Sequence, residues 1–417
     1  MQGLLQKLLE LSELRELHQH IEKGRSPAHV TGLSPVHRAM TAAALARATE
    51  RPLLMLCADE RECRRMAADL QVLLQCQPVL LPARELQLRP TAASRDWEYR
   101  RLEALYRLQS ENCPPVVTTP EALAQRCIPP EILRRTVLTL EVGGRYDIAQ
   151  LTQQLVSAGY SRADAVEAPG QFALRGGILD VYSPGSEYAV RCEFFDDEID
   201  AMGAFDTGTQ RRIHNCSSAL LLPASEVLPY HTEGSAEAAA QRLEEAAKKL
   251  SRRKDSAELC RTLRADAEAL RRGTALHAER YLGAVYSQRV CAADYLPAHT
   301  LLCVSESGRV SEALRGWLWQ VKEDIASAVE NGWLAGELAD PAFTESELTE
   351  RLARFPVVQM ESLPTSRFLL PPKELLHINA KQLSGYGVIS STNKPKPSSL
   401  ISVPSVKLIF LQHISLA

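Results

Sequence analysis

At 417 residues, 45% apolar and 24% charged, the chain has the length of two or three ordinary domains and the composition of a globular protein. Its formal net charge of −3 excludes the global basic field that draws proteins onto nucleic acid, and leaves only local arginine clusters for phosphate contacts. No apolar run approaches membrane-spanning length, the amphipathic start carries acids unlike a secretory signal, and the ten dispersed cysteines form no C-x-x-C pair; the expectation is a cytoplasmic protein with no membrane partner and no structural zinc.

In chain order, residues 1–26 predict one leading helix with Leu4, Leu5, Leu8, Leu11 and Leu14 on one side, packed onto the rest of the protein. Residues 27–145 alternate buried strands (52–57, 79–81, 116–119) with helices (59–74, 97–108, and one begun by Pro120), the pattern of a doubly wound parallel sheet. A second unit, 146–225, opens with a helix at 147–158 and continues as a small sheet, with Pro223 and Pro229 bracketing its exit. Alternation then resumes over 226–388. Two surface helices fill 235–272, followed by a strand at 300–304, a helix at 309–331 and a further strand at 355–359. Leu243, Leu250, Leu263 and Leu270 are too few for a coiled-coil seam. The predicted class is therefore α/β, with the second unit inserted into a parallel layer. Residues 389–417 form a proline-broken polar linker and a short apolar end.

Residues 172–200 carry the most information. Strand-like runs at 177–182 and 188–195 flank Ser183-Pro184-Gly185-Ser186, a hairpin-turn composition. Alternation sends Arg191 and Glu193 to one face, puts Cys192 and Phe194 inward, and leaves Phe195 outward. Arg175 stands at the mouth of the first strand, beside Gly176-Gly177. Two arginines and an outward phenyl ring on a small sheet suit protein docking, because arginine and aromatic residues dominate interface hot spots. The plainer alternative makes each arginine a surface ion-pair partner of Asp180 or Glu193. Asp196-Asp197-Glu198 is expected to be a hydrated acidic turn rather than a metal site.

The order R-G-G-I-L-D-V, P-G-S-E, R-C-E-F-F-D-D-E-I-D, then Phe205-Asp206 and Gln210-Arg211, resembles the bacterial transcription-repair coupling factors. The likeness runs from about residue 27 to Gly387, densest over 165–212, with lesser support at Asp294-Tyr295-Leu296-Pro297 and at 380–387. In that family this pattern lies in a UvrB-homology module that binds the excision-repair protein UvrA. The resemblance implies a degenerate helicase-type, P-loop-like sheet domain with an inserted small α+β domain of the UvrA-binding type. It further implies that Arg175, Arg191 and Phe195 contact UvrA in transcription-coupled nucleotide excision repair. RNA polymerase, DNA, ATP and magnesium belong to family regions further toward the C-terminus. The tail after Gly387 leaves the family pattern, so a truncated or frameshifted product is expected.

A helicase-type layer raises the question of nucleotide. Its phosphate loop would fall at 29–38, where the chemistry requires inward-pointing amides, a lysine for the phosphates and a Ser/Thr for magnesium. Gly32 is there, but Leu33, Ser34, Pro35, Val36 and His37 follow; Pro35 has no amide hydrogen and there is no Lys–Thr pair. At the end of the strand near 304, the usual Asp-Glu is replaced by Ser305-Glu306. The expectation is no cofactor and no ATPase activity for this chain. The rival is a UvrB-like, DNA-stimulated ATPase with an unconventional site near Gly32 and His37. UvrB's aromatic DNA-gripping hairpin has no evident counterpart, since 82–101 offers only Trp97 and Tyr99 at a helix start.

Overall fold

The computed structural model describes residues 2–86, 95–110, 112–252, 256–273 and 278–379. Four strands come first: β1 (Ala28–Thr31), β2 (Leu53–Leu56), β3 (Val79–Leu81) and β4 (Val116–Thr118). Eight more follow: β5 (Leu138–Glu141), β6 (Ser161–Arg162), β7 (Gln171–Arg175), β8 (Ile178–Val181), β9 (Ala189–Phe195), β10 (Glu198–Phe205), β11 (Arg212–Asn215) and β12 (Ser218–Leu221). The last three are β13 (Leu301–Ser305), β14 (Val357–Met360) and β15 (Glu374–His377).

The first four and last three strands join one sheet in the order β15-β1-β14-β13-β2-β4-β3, every pair parallel. Strands β1, β2, β13 and β14 are buried along their whole length, because helices cover both faces. One apolar cluster gathers Ala39, Met40, Leu45, Met66 and Leu70 on one side; another gathers Leu102, Leu105, Leu243, Leu263 and Val310 on the other. Between the two halves of this sheet the chain builds a second one, β11-β10-β9-β8-β7-β6, antiparallel except for the β6–β7 pair. The antiparallel ribbon β5–β12 lies at the start and end of that excursion, and Leu140 and Leu221 pack into the small sheet's core. The chain is thus α/β, with a parallel layer interrupted by a small α+β unit.

Local chemistry sets the helix boundaries. Asp59 accepts the Glu62 amide at 2.8 Å and starts the helix Glu60–Leu74, and Asp147 accepts the Gln150 amide at 2.9 Å ahead of Ile148–Ser157. The leader differs from expectation. It is two helices, Gln2–Leu8 and Ser12–Glu22, with Leu5, Leu8, Leu14, Leu17 and Ile21 buried while Leu4 is exposed. A straight helix would carry Leu4 and Leu11 into the seam; the break after Leu8 resets the phase so that the second helix buries a new stripe. The pair Ser235–Leu250 and Ala257–Arg272 packs as expected, and residues 380–387 and 389–417 lie outside the described residues. Among the described residues, no helix is long and apolar enough to cross a membrane.

Candidate functional site

Two places called out by the sequence can be compared: the outer face of the small sheet, and the loop after β1. On the small sheet, register decides which side chains meet. Ala173 faces Asp180 and Arg175 faces Ile178 across β7–β8; Asp180 faces Arg191 and Ile178 faces Glu193 across β8–β9. Directly opposed residues share a face, so Arg175, Ile178, Asp180, Arg191, Glu193 and Phe195 all lie on the side away from the core. The other parity, Phe172, Leu174, Leu179, Val181, Cys192 and Phe194, packs inward with Leu151, Leu155, Ile199 and Met202. Phe194 therefore packs against the core and Phe195 is 79% exposed, as alternation predicts. Burial pushes the Cys192 thiol up to about 12, which makes it inert at neutral pH.

The arginines are held in place. Asp180, 1% exposed, receives Arg191 Nε on Oδ1 at 2.7 Å and Arg191 Nη2 on Oδ2 at 2.8 Å. The same Oδ2 takes Arg175 Nη2 at 2.9 Å. Gln210 accepts Arg191 Nη2 through its side-chain oxygen at 3.1 Å, and the guanidinium lies 4.6 Å from the Phe205 ring centroid. Hydrogen bonding to Asp180 raises the Arg191 pKa further above its ordinary value. A second pair, Arg212 with Glu193, extends the charged row. Arg212 reaches it by crossing Gly203, where a side chain would meet its Nε at 2.8 Å. Sequence reasoning missed Arg212, and it named Asp180 only as one possible partner. The acidic turn Asp196-Asp197-Glu198 faces Arg145, 3.3 Å from Glu198.

The loop after β1 is tightly packed. Gly32 has φ +89°, and a Cβ there would lie 2.0 Å from the Ile378 carbonyl oxygen, just past β15. The Leu33 amide donates to the Glu361 carbonyl at 2.9 Å, and Ser362 Oγ donates to the Leu33 carbonyl at 3.2 Å. Ser34 Oγ pairs with His37 Nδ1 at 3.0 Å, Pro35 takes the first helical position, and the burial of His37 lowers its pKa. Behind the loop, Arg38 ion-pairs with Glu306 and lies 3.7 Å from Glu62, which accepts Ser305 Oγ at 2.6 Å. Arg38 thus ties the first helix of the sheet to the end of β13. As a charged residue inside a helix it reads as a surface group, and sequence reasoning passed it over.

Glu306 and Glu361 belong to the same cluster: Ser362 donates to Glu306 through amide and hydroxyl, and Ser307 donates to Glu361. Burial and the neighbouring Glu306 raise the Glu361 pKa to about 7, although Ser307 donates to it through both amide and hydroxyl. Burial opposes ionisation of Glu306 as well, but its hydrogen bonds and the Arg38 charge lower its pKa, so the two acids are pushed in opposite directions. Between the ordinary value of 4.5 and about 7, the folded state holds a proton the unfolded chain has lost. Stability from this group accordingly falls as pH rises through that window. Glu361→Gln imitates the protonated form. Its melting temperature is expected to match wild type near pH 5 and to exceed it by a few degrees at pH 8; an equal melting temperature at both would exclude the raised Glu361 pKa.

Tyr99 is a packing residue, donating to the Pro169 carbonyl at 3.1 Å across the two units, while Trp97 is partly exposed with Arg100 5.3 Å from its ring. Residues 87–94 of the segment weighed for a DNA-gripping hairpin lie outside the described residues. Among the described residues, no cluster of His, Cys, Asp and Glu is arranged to hold a metal ion.

Comparison with known proteins covers the same part of the chain. The model of the UvrB interaction domain matches residues 138–227, the ribbon and the small sheet together. A transcription-repair-coupling factor of Bacillus subtilis is 31% identical over 329 residues, 78% of this chain and 28% of that relative. Those of Myxococcus xanthus and Haemophilus influenzae are 35% and 40% identical over 209 and 126 residues, covering 47% and 30% of the chain and 17% and 11% of the relatives. The chain spans less than a third of the length of these curated relatives.

Proposed function

We propose that this chain, a UvrB-like module of the kind found in the N-terminal part of transcription-repair-coupling factors, is a docking module that binds UvrA through the outer face of its small sheet. The observation that carries the reading is Phe195: a phenyl ring 79% exposed on the same face as the Arg175–Asp180–Arg191 cluster. A large apolar side chain exposed beside ordered guanidinium groups matches the make-up of interface hot spots. Arg175 and Arg191 would meet acids of UvrA, and Phe195 an apolar socket. Mixing the purified chain with UvrA and measuring affinity by calorimetry tests this; a saturable complex is expected, and none at high micromolar concentrations would overturn it.

In the same reading the parallel layer serves as scaffold and hydrolyses no ATP. Support comes from the Leu33 amide, already committed to Glu361, and from the Ile378 carbonyl lying against Gly32. Inward-pointing amides are what a phosphate cradle needs. A ligand at about 100 times its Kd adds about 2.7 kcal/mol to stability. Millimolar ATP–Mg is expected to leave the melting temperature unchanged, and a shift of several degrees would revive the ATPase alternative.

A further inference from the structure

The docking face has a feature that its charge alone does not explain. Two arginines converge on one carboxylate that solvent scarcely reaches, and that carboxylate's acceptors are all turned toward them. Arg191 uses Nε and Nη2 on Asp180 and shares Nη2 with Gln210. Arg175 uses one Nη2 hydrogen bond to Asp180, and its side chain is 54% exposed. Gln210 is itself fixed: it sits at φ +59°, donates to the Thr207 carbonyl at 2.8 Å, and closes a turn in which Asp206 accepts both the amide and the hydroxyl of Thr209 at 2.7 Å. Among the described residues, the remaining N–H groups of Arg175 (Nε, Nη1 and the second of Nη2) and of Arg191 (Nη1, apart from a 3.5 Å contact to the Gln210 carbonyl) meet no further carboxylate.

Building on the docking reading, we propose that Asp180 is the positioning residue of this face, holding Arg175 and Arg191 as a paired fork whose outward N–H groups take a single carboxylate of UvrA. Fixing two long side chains in the free protein removes rotamer entropy that binding would otherwise cost. A planar guanidinium anchored along one edge still presents donors along another in a fixed plane, whereas a lysine's three donors all radiate from one rotating nitrogen. Two arginines against one aspartate also leave the cluster with one uncompensated positive charge, enough for one acidic group. Phe195 and the partly exposed Ile178 stand beside it on the same face, giving the partner surface an apolar rim next to its acid.

Asp180→Asn separates positioning from net charge, because the two accounts predict opposite signs. The substitution makes the face more positive by one charge, so simple attraction to an acidic partner would tighten binding. Positioning predicts the reverse: the amide nitrogen would confront guanidinium donors, the fork would open, and affinity would fall about tenfold. The kinetic split is diagnostic, with an association rate equal to or above wild type at low salt and a dissociation rate raised by more than tenfold. Should Asp180→Asn not fold, Gln210→Ala decides, since it loosens Arg191 from the opposite side without touching the carboxylate; a several-fold faster dissociation is expected. A folded Asp180→Asn that binds UvrA as tightly as wild type, or an unaltered dissociation rate in Gln210→Ala, overturns the positioning role. Failure of the wild-type chain to bind UvrA would instead overturn the docking reading itself.

Discussion

Phe195→Ala is expected to weaken the complex with UvrA by about 30-fold or more and to leave the melting temperature within about one degree of wild type. The first part follows from interface energetics, in which truncating a central aromatic anchor costs about 2 kcal/mol or more, and each 1.4 kcal/mol is about tenfold in Kd. The second follows from burial: the ring is 79% exposed, so its removal opens no cavity and strands no polar group. Arg191→Ala is less clean. It would uncover Phe205 and remove two of the three charge-assisted hydrogen bonds on buried Asp180, so it should lower the melting temperature as well as the affinity. Parallel titrations and thermal scans of the two variants give the comparison. Unchanged UvrA affinity in Phe195→Ala would remove the ring from the interface.

What could be read from the chain depended on how local its cause was. The hairpin β8–β9 was legible because Ser183-Pro184-Gly185-Ser186 turns the chain and strict alternation fixes parity, so the outward Phe195 and inward Phe194 follow from spacing alone. Strands β2 and β13 were legible as unbroken apolar runs. The edge strand β15 was not. Glu374-Leu375-Leu376-His377 is short and only half-buried, and pairs with β1 from more than 340 residues away. Arg38 was obscure for a related reason, whereas Asp180 could be named as a partner because it lies on the strand between its arginines. Nothing near Arg38 in sequence announces that Glu306, 268 residues away, will lie against it; Asp180 lies only 5 and 11 residues from its arginines, and what the sequence left open was that both would share it. Long-range electrostatic partnerships leave no periodic trace, whereas turns and pleats do.

Gly32→Ala tests what that glycine is for, and it should be among the most damaging single substitutions in the parallel layer. The residue sits at φ +89°, where an L side chain is strained whatever the surrounding space, and its Cβ would lie 2.0 Å from the Ile378 carbonyl oxygen. The obstacle is backbone, tied to the sheet by the Ile378 amide donating to the Thr31 carbonyl at 2.9 Å, so it cannot swing aside as a flexible side chain would. Relief requires β15 to part from β1 at its C-terminal end, pulling Ile378 out of the apolar cluster it shares with Val30 and Leu33. Strain and lost packing of this kind cost several kcal/mol, and a drop of about 5 °C or more in melting temperature is expected. If the glycine instead existed to admit phosphate, the variant would melt near wild type, and its defect would appear only as a lost response to ATP–Mg. The two outcomes are separated by one pair of thermal scans with and without nucleotide. The expected pattern is a lower transition that nucleotide moves in neither protein, because the space beside Gly32 is already taken by the Ile378 carbonyl.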